Sequence, residues 1–447
     1  MSASDNGVQH PYQNLPEEAY WRSGVAAHNP LAFQRLYTKK FAIGPDMAVA
    51  SAGSCFAQHI GRHMAKSGFN YRDFEPAPGF LSKETARTYG YHLYSARYGN
   101  VQHPYQNLPE EAYWRSGVAA HNPLAFQRLY TKKFAIGPDM AVASAGSCFA
   151  QHIGRHMAKS GFNYRDFEPA PGFLSKETAR TYGYHLYSAR YGNIYTVQQL
   201  EQLLERATGR FTPSEDVWEK DGRYYDPFRP TIEPDGFASE KEFRIMQRAH
   251  FGAVKRLFNK TDVFIFTLGL TEAWVNKEDG SVYPICPGTA AGSFDPAKYE
   301  FRNFTTSEVV ASFRRFRERV RAINPGIRFL LTVSPVPLTA TASGNHVLVA
   351  SSYSKAVLRA AAGELTAEDA GTDYFPSYEI VSSHPVRAMF FDGNLRTVTP
   401  RGVDFVMEHF FAQHSPPTEK APEAASPAAS DDDLVCEEEL LAAEALL

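Results

Sequence analysis

From about residue 140 onward, two hydrophobic rhythms alternate along the chain. Residues 140–145 are short, small and apolar, and they end in Gly146-Ser147. That predicts a buried strand running into a turn. Residues 151–160 then carry Ile153 and Met157 at helical spacing, and Gly161 closes the element. Residues 194–207 read as a helix through Val197, Leu200, Leu203 and Leu204. Ser239 with Glu242 has the spacing of a capping box, and Phe243, Met246, His250, Ala253 and Leu257 follow at intervals of three and four.

Residues 262–270 (DVFIFTLGL) form a continuous apolar run, as a strand buried on both faces would. Thr305 and Glu308 suggest a second capping box, continued by Val309, Phe313, Phe316, Val320 and Ile323. The next expected strand is 328–334 (RFLLTVS). A helix over 353–365, a strand over 373–381 interrupted by Pro376, and a last helix over 402–411 complete the pattern. Strands alternating with helices predict an α/β fold with a mainly parallel sheet. Ligands of such sheets bind beyond the carboxyl ends of the strands. The residues expected there are Gly146-Ser147-Cys148, Gly269-Leu270-Thr271-Glu272 and Ser334-Pro335.

A repeat complicates this pattern. Residues 8–100 recur without a change as 101–193, a segment of 93 residues. Solenoid repeats are shorter, about 20–50 residues, and they diverge. Perfect identity at this length points to a recent duplication or an assembly artefact. Only the second copy runs on into the remaining strands. The site is therefore numbered by that copy, with Ser54 and Cys55 as its shadow. The repeat holds one strand and one helix, and one sheet offers one slot. The copy left out must expose apolar surface, pair at an edge or swap between chains. The expected division is a leader (1–7), a redundant copy (8–100), a domain (101–414) and a tail (415–447).

Composition narrows the function classes. Of the 447 residues 43% are apolar, enough for a large core, and the net charge is -3. The tail from Ser415 holds nine acidic residues and one lysine, or -8, which leaves about +5 on the rest. That is not a nucleic-acid footprint, and no basic cluster suggests one. The tail's Pro, Ala, Ser and acid content reads as a linker, with a short acidic helix over 435–447. No run of 18 apolar residues exists, so no membrane span is expected. Four cysteines without a C-x-x-C pair indicate neither a zinc site nor a disulfide scaffold. A reducing compartment, the cytoplasm, is the expectation, with no metal and no cofactor.

The stretch Ala143-Ser144-Ala145-Gly146-Ser147-Cys148-Phe149-Ala150-Gln151 resembles the GSCFA family, an SGNH-like group of hydrolases. Further matches follow in order at 267–274 (TLGLTEAW), 332–336 (TVSPV), Ser354-Lys355, 374–379 (YFPSYE) and Gly402-Val403. Tyr113-Trp114-Arg115 also fits, so the resemblance covers about residues 107–411. It implies a three-layer α/β/α, flavodoxin-like fold. The implied activity is that of an esterase, deacetylase or acyltransferase acting on a carbohydrate or small-molecule ester.

The Gly-Asp-Ser pattern of SGNH enzymes, laid on Gly146-Ser147-Cys148, puts Cys148 at the nucleophile position and Ser147 at the aspartate. Both are candidates. The plainer alternative is that Ser147 caps the following helix and Cys148 is a small buried hydrophobe. Gly192 and Asn193 are candidate oxyanion donors, and Thr271 stands where the SGNH pattern has asparagine. Glu272 is an orienting acid or a helix cap. The Asp-x-x-His expected before the last helix is missing; Asn394-Leu395-Arg396-Thr397 stands there. Of the other histidines, His346 is best placed by strand-end logic, ahead of His152 and His384. Without a base a serine is a weak nucleophile, a cysteine less so. The competing expectation is a non-catalytic protein on the same scaffold, holding an acyl-carrier such as coenzyme A, or a glycan.

Overall fold

The structure, a computed structural model, describes residues 10–33, 35–53, 55–72, 74, 82 and 129–414. The leader, Ser54 and the acidic tail lie outside the described residues. The chain forms two compact units, Thr38–Tyr113 and the remainder, Met1–Tyr37 with Trp114–Leu447. These boundaries differ from those of the repeat, because residues of the first copy belong to the larger unit.

The smaller unit contains helix α1 (Cys55–Lys66). In the larger unit, strand β1 (Val142–Gly146) leads into α2 (Phe149–Lys159), then α3 (Lys176–Thr181) and α4 (Val197–Thr208). A hairpin of β2 (Trp218–Lys220) and β3 (Arg223–Tyr225) precedes α5 (Glu240–Lys260) and β4 (Val263–Leu268). Three short strands follow: β5 (Glu272–Asn276), β6 (Val282–Tyr283) and β7 (Tyr299–Asn303). The chain closes with α6 (Thr306–Ile323), β8 (Arg328–Val333), α7 (Val347–Glu368), β9 (Thr372–Tyr374), α8 (Ser377–Ser382) and α9 (Pro400–Gln413).

The main sheet is parallel throughout, in the order β1-β4-β8-β9. On the outer side of β1, Tyr164 pairs in parallel with Val142 as an isolated bridge. The chain thus crosses to one side of β1 and then returns to the other as β4. With the bridge counted as a vestigial second strand, this is the flavodoxin-like order 2-1-3-4-5. Its topological switch point lies between β1 and β4.

The apolar run of β4 explains the layers. Val263 and Ile265 face a cluster with Phe149 and Ile153 of α2, Val381 of α8, and Val406 and Phe410 of α9. Phe264, Phe266 and Leu268 face the opposite cluster with Leu200 of α4, Leu257 of α5, Phe313 of α6 and Leu358 of α7. Both sides of the strand are covered, so period-two alternation is absent. The result is a three-layer α/β/α sandwich, as the strand–helix pattern predicted.

Cap chemistry sets the helix starts. Thr196 with Gln199, and Thr305 with Glu308, each form a full capping box. The expected strand 373–381 is corrected to β9 followed by α8. Pro376 has no N–H for the ladder and becomes the N-cap residue of the helix. Helix α7 starts six residues earlier than expected, with His346 as its N-cap.

The two copies of the repeat share local structure but not packing. Val49 pairs with Tyr71 as Val142 pairs with Tyr164, and α1 repeats α2. Residues 49–53 form no strand, since a strand needs a neighbour and β1 has β4. Phe56 and Ile60 of α1 are 68% and 46% exposed, whereas their counterparts Phe149 and Ile153 are 1% and 2% exposed.

The larger unit also takes in residues 10–37. Trp21 N–H donates to Thr339 O at 2.8 Å and Thr341 N–H to Ala19 O at 2.9 Å, a short antiparallel pairing. Trp21 Nε1–H donates to Asn394 O at 3.0 Å, and Tyr12 packs edge-on against Trp274.

Candidate active site

Strand β1 delivers the Gly-Ser-Cys turn to the switch point. Gly146 has φ +144°, and a Cβ there would lie 2.5 Å from Thr267 O on β4. Only glycine lets the turn pass so close to the neighbouring strand. Ser147 N–H donates to Thr267 O at 3.3 Å, the last link between the two strands. Cys148 is the N-cap residue of α2, with φ -49°, ψ -34° and no capping bond from its side chain. The Ser147 and Cys148 carbonyls accept from Ala150 and Gln151 N–H at 2.9 and 3.0 Å, so the helix begins at once. Ser147 Oγ caps nothing: it is buried and has no hydrogen-bond partner. A buried hydroxyl left unpaired costs about 1–3 kcal/mol, so its retention asks for a role.

Ser147 lines a cavity together with Cys148, Tyr195, Gly269, Leu270, Ser334, Val336, Pro337, Leu338 and Lys355. Its free volume is about 10 Å³, roughly what one water needs. Residues beyond the ends of β1, β4 and β8 therefore converge, as parallel-sheet logic requires. Lys355, on α7, is the lining's one ionisable nitrogen. It is 4% exposed, and its Nζ donates to Gly269 O at 2.6 Å. Gly269 in turn lies against the turn, since a Cβ there would be 3.1 Å from Ser147 Cβ.

The other expected site residues are placed elsewhere. His346 does not line the cavity. Its Nδ1 accepts from Leu348 N–H at 3.1 Å, its ring lies beside Phe33, and it shares a hydrogen bond with the Gly24 backbone. Burial holds its pKa below the usual histidine value. Gly192 adopts φ +67°, and Ile194 N–H donates to Gly146 O at 2.9 Å, so this loop passes beside the end of β1. Asn193, however, accepts from Tyr187 and lines a different cavity with His250, Arg206 and Arg229. Thr271 is fully buried, donating from its backbone to Ser354 Oγ at 3.0 Å and from Oγ1 to Asn303 Oδ1 at 2.6 Å. Glu272 starts β5, which removes the helix-cap reading, and its Oε1 accepts from Thr341 Oγ1 at 2.7 Å.

His152 is within α2, and burial takes its pKa down to about 3. His384 begins a single 3-10 turn. In the first copy Ser54 lies outside the described residues, and Cys55 is the first residue of α1.

Sequence reasoning missed Lys355, Tyr195 and the outer wall. The lysine's signal was its position. Ala350, Ser351, Ser354, Lys355 and Leu358 share the buried side of α7, and an ammonium on an apolar stripe is rare. The layer packed against that wall comes from the first copy. Trp21 and Val25 pack with Tyr195, Leu270 and Leu338, three residues of the cavity lining.

Fold and site define an α/β protein with a Gly-Ser-Cys strand-to-helix turn at the switch point of a flavodoxin-like sheet. The GSCFA family model matches residues 141–410, more than half the chain, and the protein belongs to the GSCFA family. Comparison with curated proteins and with solved structures returns no match.

Proposed function

We propose that the protein hydrolyses or transfers a small acyl ester at the Ser147–Cys148 turn. Cys148 is the nucleophile, and Ser147 Oγ is the hydrogen-bond donor to the acyl oxygen. The observation that carries this reading is the buried, unpartnered hydroxyl of Ser147, a residue that lines a small cavity at the switch point. The SGNH-like ancestry implied by the motif points the same way. Cys148 is preferred as nucleophile because, among the described residues, no histidine lines the cavity, and a thiol ionises near neutral pH without a dedicated base. The N-terminus of α2 favours the thiolate. Oxyanion help comes from pre-placed donors at the turn, where each is worth about 2.7–4 kcal/mol of barrier.

The test is turnover of acetyl esters, including acetylated sugars, by the full chain carrying Cys55→Ala so that the repeated thiol is silent. Cys148→Ala in that background abolishes turnover, and Ser147→Ala lowers it about 100-fold, the loss of one oxyanion donor. The reverse order moves the nucleophile to Ser147. Absence of turnover across the panel removes the enzymatic reading.

A further inference from the structure

We propose that Lys355 is a catalytic residue of this site: its ammonium holds the Cys148 sulfur as a thiolate and then gives its proton to the leaving alcohol. The proposal rests on the acyl-transfer reading above and supplies the acid–base group which the missing Asp-x-x-His leaves open.

Position comes first. Lysines are almost never fully buried without a partner, because an ammonium out of water is costly. Lys355 is 4% exposed on the inner side of α7, with its whole stem committed to reaching the rim of the sheet. Its 2.6 Å bond to Gly269 O fixes the head group, and that same glycine is in contact distance of Ser147. The ammonium is thus tethered one residue from the turn, on a carbonyl at the end of β4.

Chemistry comes second. Cys148 and Lys355 line the same water-sized cavity, whose lining is mostly apolar (Tyr195, Leu270, Val336, Pro337 and Leu338) with Ser334 beside it. Apolar walls exclude water and strengthen attraction between a thiolate and an ammonium. Among the described residues no carboxylate lines the cavity. Ser147, whose Oγ is buried and without a partner, lines the same space and marks it as a place where a ligand atom arrives.

The reaction balances with these groups alone. The Cys148 thiolate attacks the ester carbonyl carbon, and the C–S bond forms. The C–O bond to the alcohol breaks, and the departing alkoxide takes a proton from the Lys355 ammonium. The neutral amine then takes a proton from water, whose hydroxide attacks the thioester. The C–S bond breaks, the acid leaves, and thiolate and ammonium are restored. Ester and water are consumed, and acid and alcohol are made.

The experiment reads the thiol directly. In the full chain with Cys55→Ala, the pH titration of thiolate absorbance at about 240 nm is recorded with and without Cys148→Ala, and the difference gives the Cys148 pKa. A value below the free-thiol figure of about 8.5 is expected. Lys355→Met raises it by at least about one unit, and Lys355→Arg keeps it low, because the charge is retained. A Cys148 pKa at or above about 8.5 in the Cys55→Ala chain overturns the proposal without any change at Lys355. An unmoved titration in a folded Lys355→Met protein overturns it equally, and reduces the lysine to a tether for Gly269. The two readings fail separately. A low thiol pKa without ester turnover sinks the acyl-transfer reading and leaves the ion pair. Turnover with an ordinary thiol pKa does the opposite.

Discussion

Phe149 and Phe56 offer one substitution in two identical sequences with opposite outcomes. Each is the residue after the cysteine of its repeat, and each belongs to a helix of the same composition. Helix propensity and local structure in the unfolded chain therefore cancel between them, and packing is what differs. Phe149 is 1% exposed, wedged among Ile153, Val263, Ile265 and Phe410. Phe56 is 68% exposed. Phe149→Ala removes a ring from a filled core and is expected to cost about 3–5 kcal/mol. Phe56→Ala changes a solvated surface and is expected to fall within about 0.5 kcal/mol. The gap is at least about 2.5 kcal/mol, roughly 70-fold in the unfolding equilibrium. Urea unfolding followed by tryptophan fluorescence reads it, because Trp21, Trp218 and Trp274 are all buried in the larger unit. Equal costs at the two positions would refute the assignment, and would mean that the copies exchange places on the sheet.

Further outcomes follow from the same structure. Removing any 93-residue window that starts between residues 8 and 101 yields one and the same polypeptide, so deletion of Val8–Asn100 keeps the docked N-terminal segment. The path from Phe33 to Tyr130, 97 residues less the 93 removed, becomes 4. Loop-closure entropy then favours the shortened chain by up to about 3 kcal/mol, read as a higher melting temperature; a lost cooperative transition would contradict this. His414, whose Nδ1 accepts from Ile136 N–H at 3.3 Å, is held at a pKa of about 4 by burial and secondarily by Lys132. The unfolded chain binds that proton first, so its stabilising share is complete above about pH 6.5 and is lost as pH falls toward 4. His414→Gln should lessen the drop in melting temperature over that window, and an unchanged slope would exclude His414 as a contributor. The small size of the cavity predicts that turnover falls steeply from acetyl to butyryl esters, and equal rates would show that it does not limit the acyl group.

Much of the larger unit was legible because its strands are buried on both faces. An apolar run such as 262–270, bounded by cap signals at Ser239 and Thr305, leaves few other arrangements. The rim was legible for the same reason. Ser147, Cys148, Gly269, Leu270 and Ser334 come from three different strand ends and do line one cavity. One step beyond a strand end, position along the chain no longer fixes position at the rim. His346 lies twelve residues past Ser334, far enough for the loop to turn it into the N-cap of α7. Thr271 and Glu272 turn away from the rim into β5, part of a three-stranded antiparallel sheet whose strands of two to five residues are too short to show a period. Lys355 comes from the middle of a helix, where strand-end logic does not look.

The repeat separates what a segment encodes locally from what it borrows. The helix after the cysteine forms in both copies, and so does the pairing of a valine with a tyrosine twenty-two residues on. Both depend on contacts within a short stretch. The strand forms only beside β4, and the apolar face of the helix is covered only where β4 and α9 stand over it. The second copy holds that slot because Ile194 follows it directly and leads into α4. The docked segment around Trp21 carries no such constraint, since it meets the body through a few residues and joins it by a long path. Its counterpart around Trp114 has the same sequence. The layer packed against the outer wall of the site is therefore specified by a sequence that the chain contains twice, whereas the nucleophile turn is specified by one copy alone.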